Sequence, residues 1–531
     1  MSGKFIYLNG IVRTMDPTLP VADCLVSENG RIKAIGESGI LSRWVDDSFV
    51  RIDLKGRLLL PGFIDSHTHF AMYSLGLEQV SLEGTRDVGE ALQRLQAKAD
   101  TSPAGEWIFG VDWNKNIWPG GLAPTKEDAD IALPHHPLAV ISKCGHLTWG
   151  NSLAFQLAGI HRDTPDPEGG EIERHPATGE PTGILKENAA ELIHRILPKP
   201  DQKRIINAIK KGMEIAYSKG LVGIHNCEES NVFAAFEDIL STGSLPFRVH
   251  HHLAMGNLDD AIALGIQTGF GSPSLNIGSL KLFADGALGS QTASMLDPFE
   301  GTADDYGIVV NTKEDLLHMM KKAAEAGISS AVHAIGDKAN KEILDIYEAI
   351  FPISQAHHLR QRIEHAQLIE ASDFPRFRNL NVIASVQPLH ATSDMDIVDK
   401  HWGARGKGAY AFKTFIQHGI TSAYGSDVPV ETFDPIKGIF AAVSRHRETM
   451  LNIPAWYPDQ RLSPHEAVFG YTAGAAYASY EDNIKGTLTV GKLADMVVLS
   501  KDIFKVPEEE ILETTVDLTI IDGKIVYAHQ I

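Results

Sequence analysis

His67 and His69 flank Thr68 in the run "PGFIDSHTHF". Alternate residues of a β-strand point to the same side, so two imidazoles at this spacing can converge on one cation. Alone the pair would carry little weight, because a chain with 23 histidines can place His-x-His on a surface strand by chance. It does not stand alone. His333 closes "SSAVHAIG", His365 closes "QRIEHAQ" and Asp427 closes "TSAYGSDVP". Each lies at the C-terminal end of a β-rich run, where barrel enzymes place their chemistry. A packed core imidazole would account for His333 or His365 singly, and a helix N-cap for Asp427. Neither accounts for five such residues at equivalent positions. Imidazole and carboxylate donors suit Zn²⁺, Mn²⁺, Fe²⁺ or Ni²⁺.

Lys281 is the odd member of the set. It sits in "GSLKLFAD", a strand that otherwise reads as buried. Leu280, Leu282 and Ala284 share one face; Lys281, Phe283 and Asp285 share the other, expected to face the barrel interior. An ammonium aimed into a core costs several kcal/mol unless it is neutralised or paired. Chemistry leaves two solutions open: an ion pair with an interior carboxylate such as Asp285, or carbamylation by CO₂, which converts the cation into an anionic ligand. Trp113, His146, Asp285, Arg362 and Gln387 are candidate substrate contacts. His250 and His252, which share a face of one strand, are further candidates near the site. For all of these, ordinary packing or a solvated loop is an equal reading.

Short β-rich runs alternate with helix-like stretches through the middle of the chain, which argues for a parallel α/β fold. Eight runs are found, at 58–69, 221–227, 247–253, 278–286, 329–336, 361–367, 381–388 and 421–429. Eight parallel strands close a (β/α)8 TIM barrel, expected over 58–483. The stretch at about 75–200 is too long for one barrel helix and reads as an inserted subdomain; leaving from the catalytic face, it could form a lid or pocket wall. Trp113, Trp118 and Trp149 within it hint at a partly apolar pocket. Apolar-alternating runs around Asn-Gly and Asp-Gly at the two ends are hairpin signals. They predict one small discontinuous β-sandwich from 1–57 plus 484–531.

Forty-eight basic against 68 acidic residues leave a formal charge of −20, which argues against nucleic acid and anionic membranes as partners. Three cysteines, far apart and odd in number, make a disulfide framework improbable. No signal peptide and no membrane-spanning run are read, so a cytoplasmic protein is expected. A small-molecule substrate and a homodimer are the expected partners. No GxGxxG opens a helix after a strand, which disfavours a dinucleotide-binding fold.

With these motifs in order the sequence resembles the amidohydrolase superfamily, in particular its amidohydrolase-3, YtcJ-like branch, which includes N-substituted formamide deformylase. The matching segments are 60–70, 181–189, 281–293, 332–337, 362–367, 425–430 and 486–499, nearly the whole chain. The resemblance implies one or two divalent ions, Zn²⁺ for preference. His67 and His69 would hold one, His333 and His365 the second, and carbamylated Lys281 would bridge them. Asp427 would ligate the first ion and act as the catalytic acid and base. The implied activity is hydrolysis of a C–N bond in an N-acyl or N-formyl amine. A deaminase or cyclic amidase of the same superfamily is the nearer alternative, disfavoured by Lys281. A non-catalytic metal-binding or regulatory protein on the same fold is the more distant one.

Overall fold

The computed structural model describes residues 3–41, 46–143, 147–167, 169–242 and 246–529. Its contacts divide the chain into two compact units, Met1–Tyr73 with Ile209–Ile531, and Ser74–Ala208. Among the described residues no helix is long and apolar enough to cross a membrane.

Within the first unit, strands from both chain ends build two sheets. Four strands lie in the order Arg31–Gly36, Cys24–Glu28, Lys4–Leu8, Val50–Asp53; six lie in the order Lys524–Ala528, Val516–Ile521, Met496–Leu499, Leu58–Pro61, Ile11–Arg13, Val21–Ala22. Tyr7, Leu25, Ile32, Leu59, Met496, Val498 and Leu518 share one core. The hairpins turn at Asn29-Gly30 and Asp522-Gly523, all four residues at positive φ, as a type I′ turn requires.

The barrel sheet has eight strands in sequential order: β1 (Phe63–Thr68), β2 (Leu221–Asn226), β3 (Arg248–Ala254), β4 (Leu275–Phe283), β5 (Ser330–Ala334), β6 (Arg362–His365), β7 (Ile383–Val386) and β8 (Ser422–Tyr424). Every neighbouring pair is parallel. The residues after β8 return to β1: the Asp427 N–H donates to the His67 carbonyl at 2.8 Å, and the His69 N–H to Val428 at 2.9 Å. This is the α/β barrel expected from the alternation of runs. The helices between strands show why they form. Ser230–Ser241 buries Val232, Ala235, Phe236 and Ile239, one stripe at helical spacing. Lys313–Glu325 starts at Thr312, whose hydroxyl accepts from the Asp315 N–H.

The sequence run at 58–69 is two strands. Leu58–Pro61 pairs antiparallel with Met496–Leu499 in the sandwich, and only Phe63 onward joins the barrel. The chain changes sheets at Gly62, where a Cβ would stand 2.2 Å from Val222 Cγ1. The Pro61-Gly62 pair marks a turn at this point, but the apolar run continues across it, so the sequence reads as a single run.

The second unit carries a six-stranded mixed sheet ordered Gly170–Arg174, Pro181–Glu187, Leu147–Gly150, Leu138–Ser142, Ile108–Trp113, Val80–Ser81. Trp113, Trp118 and Trp149 are all in its own hydrophobic core. Their indole N–H groups donate to the carbonyls of Val140, Thr85 and Thr125.

Candidate metal centre

Five of the six expected ligands sit on or just beyond strands of the barrel at the same end. His67 is in β1 and His69 follows it; Lys281, His333 and His365 are in β4, β5 and β6. Asp427 comes three residues after β8. The ligand atoms of His67, His365 and Asp427 all lie within 4.8 Å of one another. Asp427 Oδ1 is 3.5 Å from His67 Nε2 and 3.4 Å from His69 Nε2. Ring centroids are 5.0 Å apart for His67 and His365 and 4.5 Å for His333 and His365. Lys281 is buried, with its Nζ 4.0 Å from the centre of the Phe283 ring.

The backbone is bent to achieve this. His365 has φ +71° and Asp427 φ +61°, conformations that cost a non-glycine residue roughly 1–3 kcal/mol. In β6, Arg362 and Glu364 alternate onto the interior face, so His365 would point outward in a regular strand. Its positive φ turns the ring back toward His67 and His333.

Each of three imidazoles has one ring nitrogen tied to an acceptor. His67 Nδ1 lies 2.6 Å from Glu364 Oε2, His365 Nδ1 3.0 Å from Gln387 Oε1, and His333 Nε2 2.9 Å from the Gly286 carbonyl. The tied nitrogen carries the proton, which leaves a lone pair on the other, as a metal-binding histidine needs. Burial depresses the basicity of all three, with His333 pushed down to about 3. Burial pushes the Asp427 carboxyl up, but His67, His69 and His365 outweigh it and hold it well below the usual range. Burial also lowers the Lys281 amine, against the pull of Cys227, Glu364 and Asp427. Its Nζ has no hydrogen-bond partner.

That orphaned amine and the lone pairs on the imidazoles are the test of whether the residues fit a cation. A bare ammonium among histidines would be unstable here; a neutral amine, or an anion made from one, beside a cation would not. The donor set is three or four imidazoles and one ionised carboxylate, a combination that suits zinc and its neighbours in the first transition series.

The structure places the other expected residues differently. Arg362 is fully buried. Its guanidinium donates to Glu364, the Ser66 carbonyl, Ser385 Oγ and His225 Nδ1, so it anchors the interior. Asp285 accepts from the backbone N–H groups of Ser294, Ile335 and Gly336. It pins two loops together, and burial pushes its carboxyl up to about 7 against those donors. Trp113 is core, as above. Gln387 orients His365. His146 lies outside the described residues. His250 and His252 are buried in β3.

Four contributors were not anticipated. Glu364 holds His67. Asn226 Oδ1 accepts from the Phe70 N–H at 3.1 Å, and the Glu228 carboxylate accepts from Ala71 and Met72, both at 2.8 Å, fixing the turn that carries His69. His390 stacks on His365 with centroids 6.2 Å apart and 7° between planes. Glu364 had a signal, being an acid two residues from Arg362 on the same strand face; the others had none.

A divided (β/α)8 barrel with imidazoles and a carboxylate at its C-terminal end defines a class. Residues 51–527 match the model of the amidohydrolase family, and the chain belongs to that family. It is 32% identical to the Bacillus subtilis (strain 168) protein YtcJ, which bears an amidohydrolase name, over 99% of both chains. It is 27% identical to N-substituted formamide deformylase of Arthrobacter pascens, covering 98% of this chain and 97% of that one. Its fold superposes on a crystal structure of an uncharacterized metal-dependent hydrolase from Pyrococcus horikoshii with a TM-score of 0.81 at 28% identity, over 95% of this chain and 99% of the other.

Proposed function

We propose that this protein is a metal-dependent hydrolase that cleaves the C–N bond of an N-acyl or N-formyl amine. The observation that carries the reading is the convergence of His67, His365 and Asp427 beside the buried, unpartnered amine of Lys281. His67, His69, His333, His365 and Asp427 would hold the ion or ions, Zn²⁺ for preference, with Lys281 joining them as its carbamate. A bound divalent cation supplies Lewis-acid polarisation of a carbonyl and lowers the pKa of water from about 15.7 toward 7.

The chain's own groups supply the rest. Asp427, held as the anion by its imidazole neighbours, accepts the proton of the attacking water. It returns that proton to the leaving nitrogen, acting as base and then acid. Glu364 and Gln387 keep His67 and His365 in the tautomers that present a lone pair to the centre. Burial lowers the Lys281 amine and so favours its neutral form, the form that adds to CO₂. The similarity to N-substituted formamide deformylase supports the choice of substrate class.

The test is elemental analysis of protein purified without added metal, followed by hydrolysis assays over N-formyl and N-acyl amines. One to two ions per chain and amine release, both lost in His67→Ala, are expected. Turnover retained in that variant refutes the assignment. Release of ammonia together with the oxygenated remainder of the substrate, and no substituted amine, indicates a deaminase.

A further inference from the structure

Strand β4 buries every residue from Leu275 to Leu282 and then leaves its last, Phe283, 40% exposed. An exposed phenylalanine on an outer surface is ordinary. Phe283 is not on the outer surface of the barrel. It shares the face of β4 that carries Lys281, because alternate residues of a strand point the same way. In register it stands opposite His333 of β5, and paired residues of neighbouring strands point to one side of a sheet. Its contacts agree. The ring centre lies 4.0 Å from Lys281 Nζ and 5.6 Å from the centre of the His333 ring. The ring therefore belongs to the layer of side chains at the mouth of the barrel, with Lys281 one layer deeper and His333 beside it.

Its own loop leaves it open. The chain returns along Phe283 after β4: the Val310 N–H donates to the Ala284 carbonyl at 2.9 Å, and Asn311 Nδ2 donates to the Phe283 carbonyl at 2.8 Å. Val309 and Val310 were the side chains placed to cover the ring, and both are themselves exposed. The His333 side chain stays 14% exposed. Solvent thus reaches both members of the contact between ring and imidazole.

A large apolar side chain held in water gains from being covered. We infer that Phe283 is a specificity-determining residue, which packs against a bulky apolar group next to the scissile C–N bond. It selects substrates that carry such a group over those that carry only a methyl group or hydrogen. The inference rests on the proposed function and narrows it to amides with an apolar, by preference aromatic, substituent close to the bond that is cut. Aromatic rings meet offset or edge to face with centroids about 4.5–7 Å apart. Phe283 and His333 are already within that range of each other, so a group packed on the one joins an amide held at the other through a short link. A mere prop for Lys281 would need no exposed surface.

Hydroxamates bind divalent ions through two oxygens and need no turnover. The experiment is therefore calorimetric titration of benzohydroxamate and of acetohydroxamate into the purified wild-type protein, Phe283→Ala and Phe283→Leu, with metal content measured in each. The preference for benzohydroxamate should be about tenfold greater in wild type than in Phe283→Ala, the size expected for losing one ring contact and its buried area. Phe283→Leu should fall between. The ratio of kcat/KM for N-formyl amines with aromatic over methyl substituents should shift in the same direction. An unchanged preference in both variants, with both hydroxamates bound, overturns the role of Phe283 and leaves the proposed function standing. Loss of metal from the variants would make the ring a support for Lys281 and overturns the role as well. If neither hydroxamate binds the wild-type protein, the metal-dependent reading itself fails, and the selection by Phe283 falls with it.

Discussion

His67 Nδ1 stands 2.6 Å from Glu364 Oε2, joining β1 to β6 across 297 residues of sequence. Glu364 is fully buried, and burial would raise its carboxyl. Arg362 and His67 overcome that and hold it well below the ordinary range. The anion is thus fixed by a permanent cation on one side and orients an imidazole on the other.

Glu364→Gln should weaken metal retention about 10–100-fold, the usual consequence of losing an outer-shell carboxylate. It also leaves Arg362 buried without its counter-charge, a change that costs about 3–5 kcal/mol. Metal titration and thermal unfolding read the two effects separately. Wild-type metal affinity in this variant would show that Glu364 serves the interior alone.

Lys281→Met should separate stability from function. The amine is buried and unpartnered, and an unsatisfied buried group costs about 1–3 kcal/mol. The metal-free variant should therefore melt at the same temperature as wild type or higher, while metal content and turnover fall. Lower stability of the metal-free variant would point to an ion pair. In wild type, reconstitution with zinc should be faster and more complete with added bicarbonate.

Asp427→Asn keeps the shape of the side chain and removes its proton affinity. A drop in kcat of about 10²–10⁴-fold is expected, the range for losing a positioned general acid and base. Elemental analysis must accompany the assay, because Asp427 is also a proposed ligand. Full turnover at full metal content would remove it from the mechanism.

Acid should destabilise the metal-free protein through histidines outside the centre. Burial pushes His250 down to about 4 and His251 to about 3, and lowers His225 and His252 well below normal. Unfolded histidine titrates near 6.5. Below that pH the unfolded chain takes up protons that the native chain refuses, so stability is complete above about pH 6.5. It falls as pH drops toward the native values, by about 1.4 kcal/mol per pH unit for each group. Urea midpoints at pH 7.5, 6 and 5 should decline steeply; a flat series would mean these rings are solvated.

The Arg248–Asp495 pair ties the barrel to the sandwich, with contacts of 2.8 and 2.9 Å and both side chains 3% exposed. Asp495→Ala should destabilise by about 3–5 kcal/mol, since it strands a buried guanidinium. Chemical unfolding measures it, and a loss under 1 kcal/mol would show that Asp522, the second partner, suffices.

The order of elements was legible in the sequence because it rests on local patterns. Alternating apolar runs, helical stripes and Asn-Gly or Asp-Gly turns declare themselves within a few residues. The candidate ligands were legible for the same reason, as His67, His69, Lys281, His333, His365 and Asp427 each end or occupy a recognisable run. Outer partners were not. The insertion's tryptophans hinted at a pocket, and they pack in its core; for Arg362 and Asp285 the sequence left a structural role and a substrate contact equally open, and only their hydrogen bonds within the chain tell where each is held. A side chain's type does not say whether its bonds are already taken.

By itself the sequence determined which donor atoms exist and that strand ends deliver them to one face, since both follow from composition and period. Only the tertiary structure decided which way they point. His365 belongs to the outward set by alternation, and it reaches His67 because a positive φ, held by packing around it, turns its ring inward. Whether a nitrogen offers a lone pair or a proton was likewise decided by a partner far along the chain, as Glu364 decides for His67 and Arg362 for His225. Such pairings are set by closure of the barrel, which no local pattern encodes.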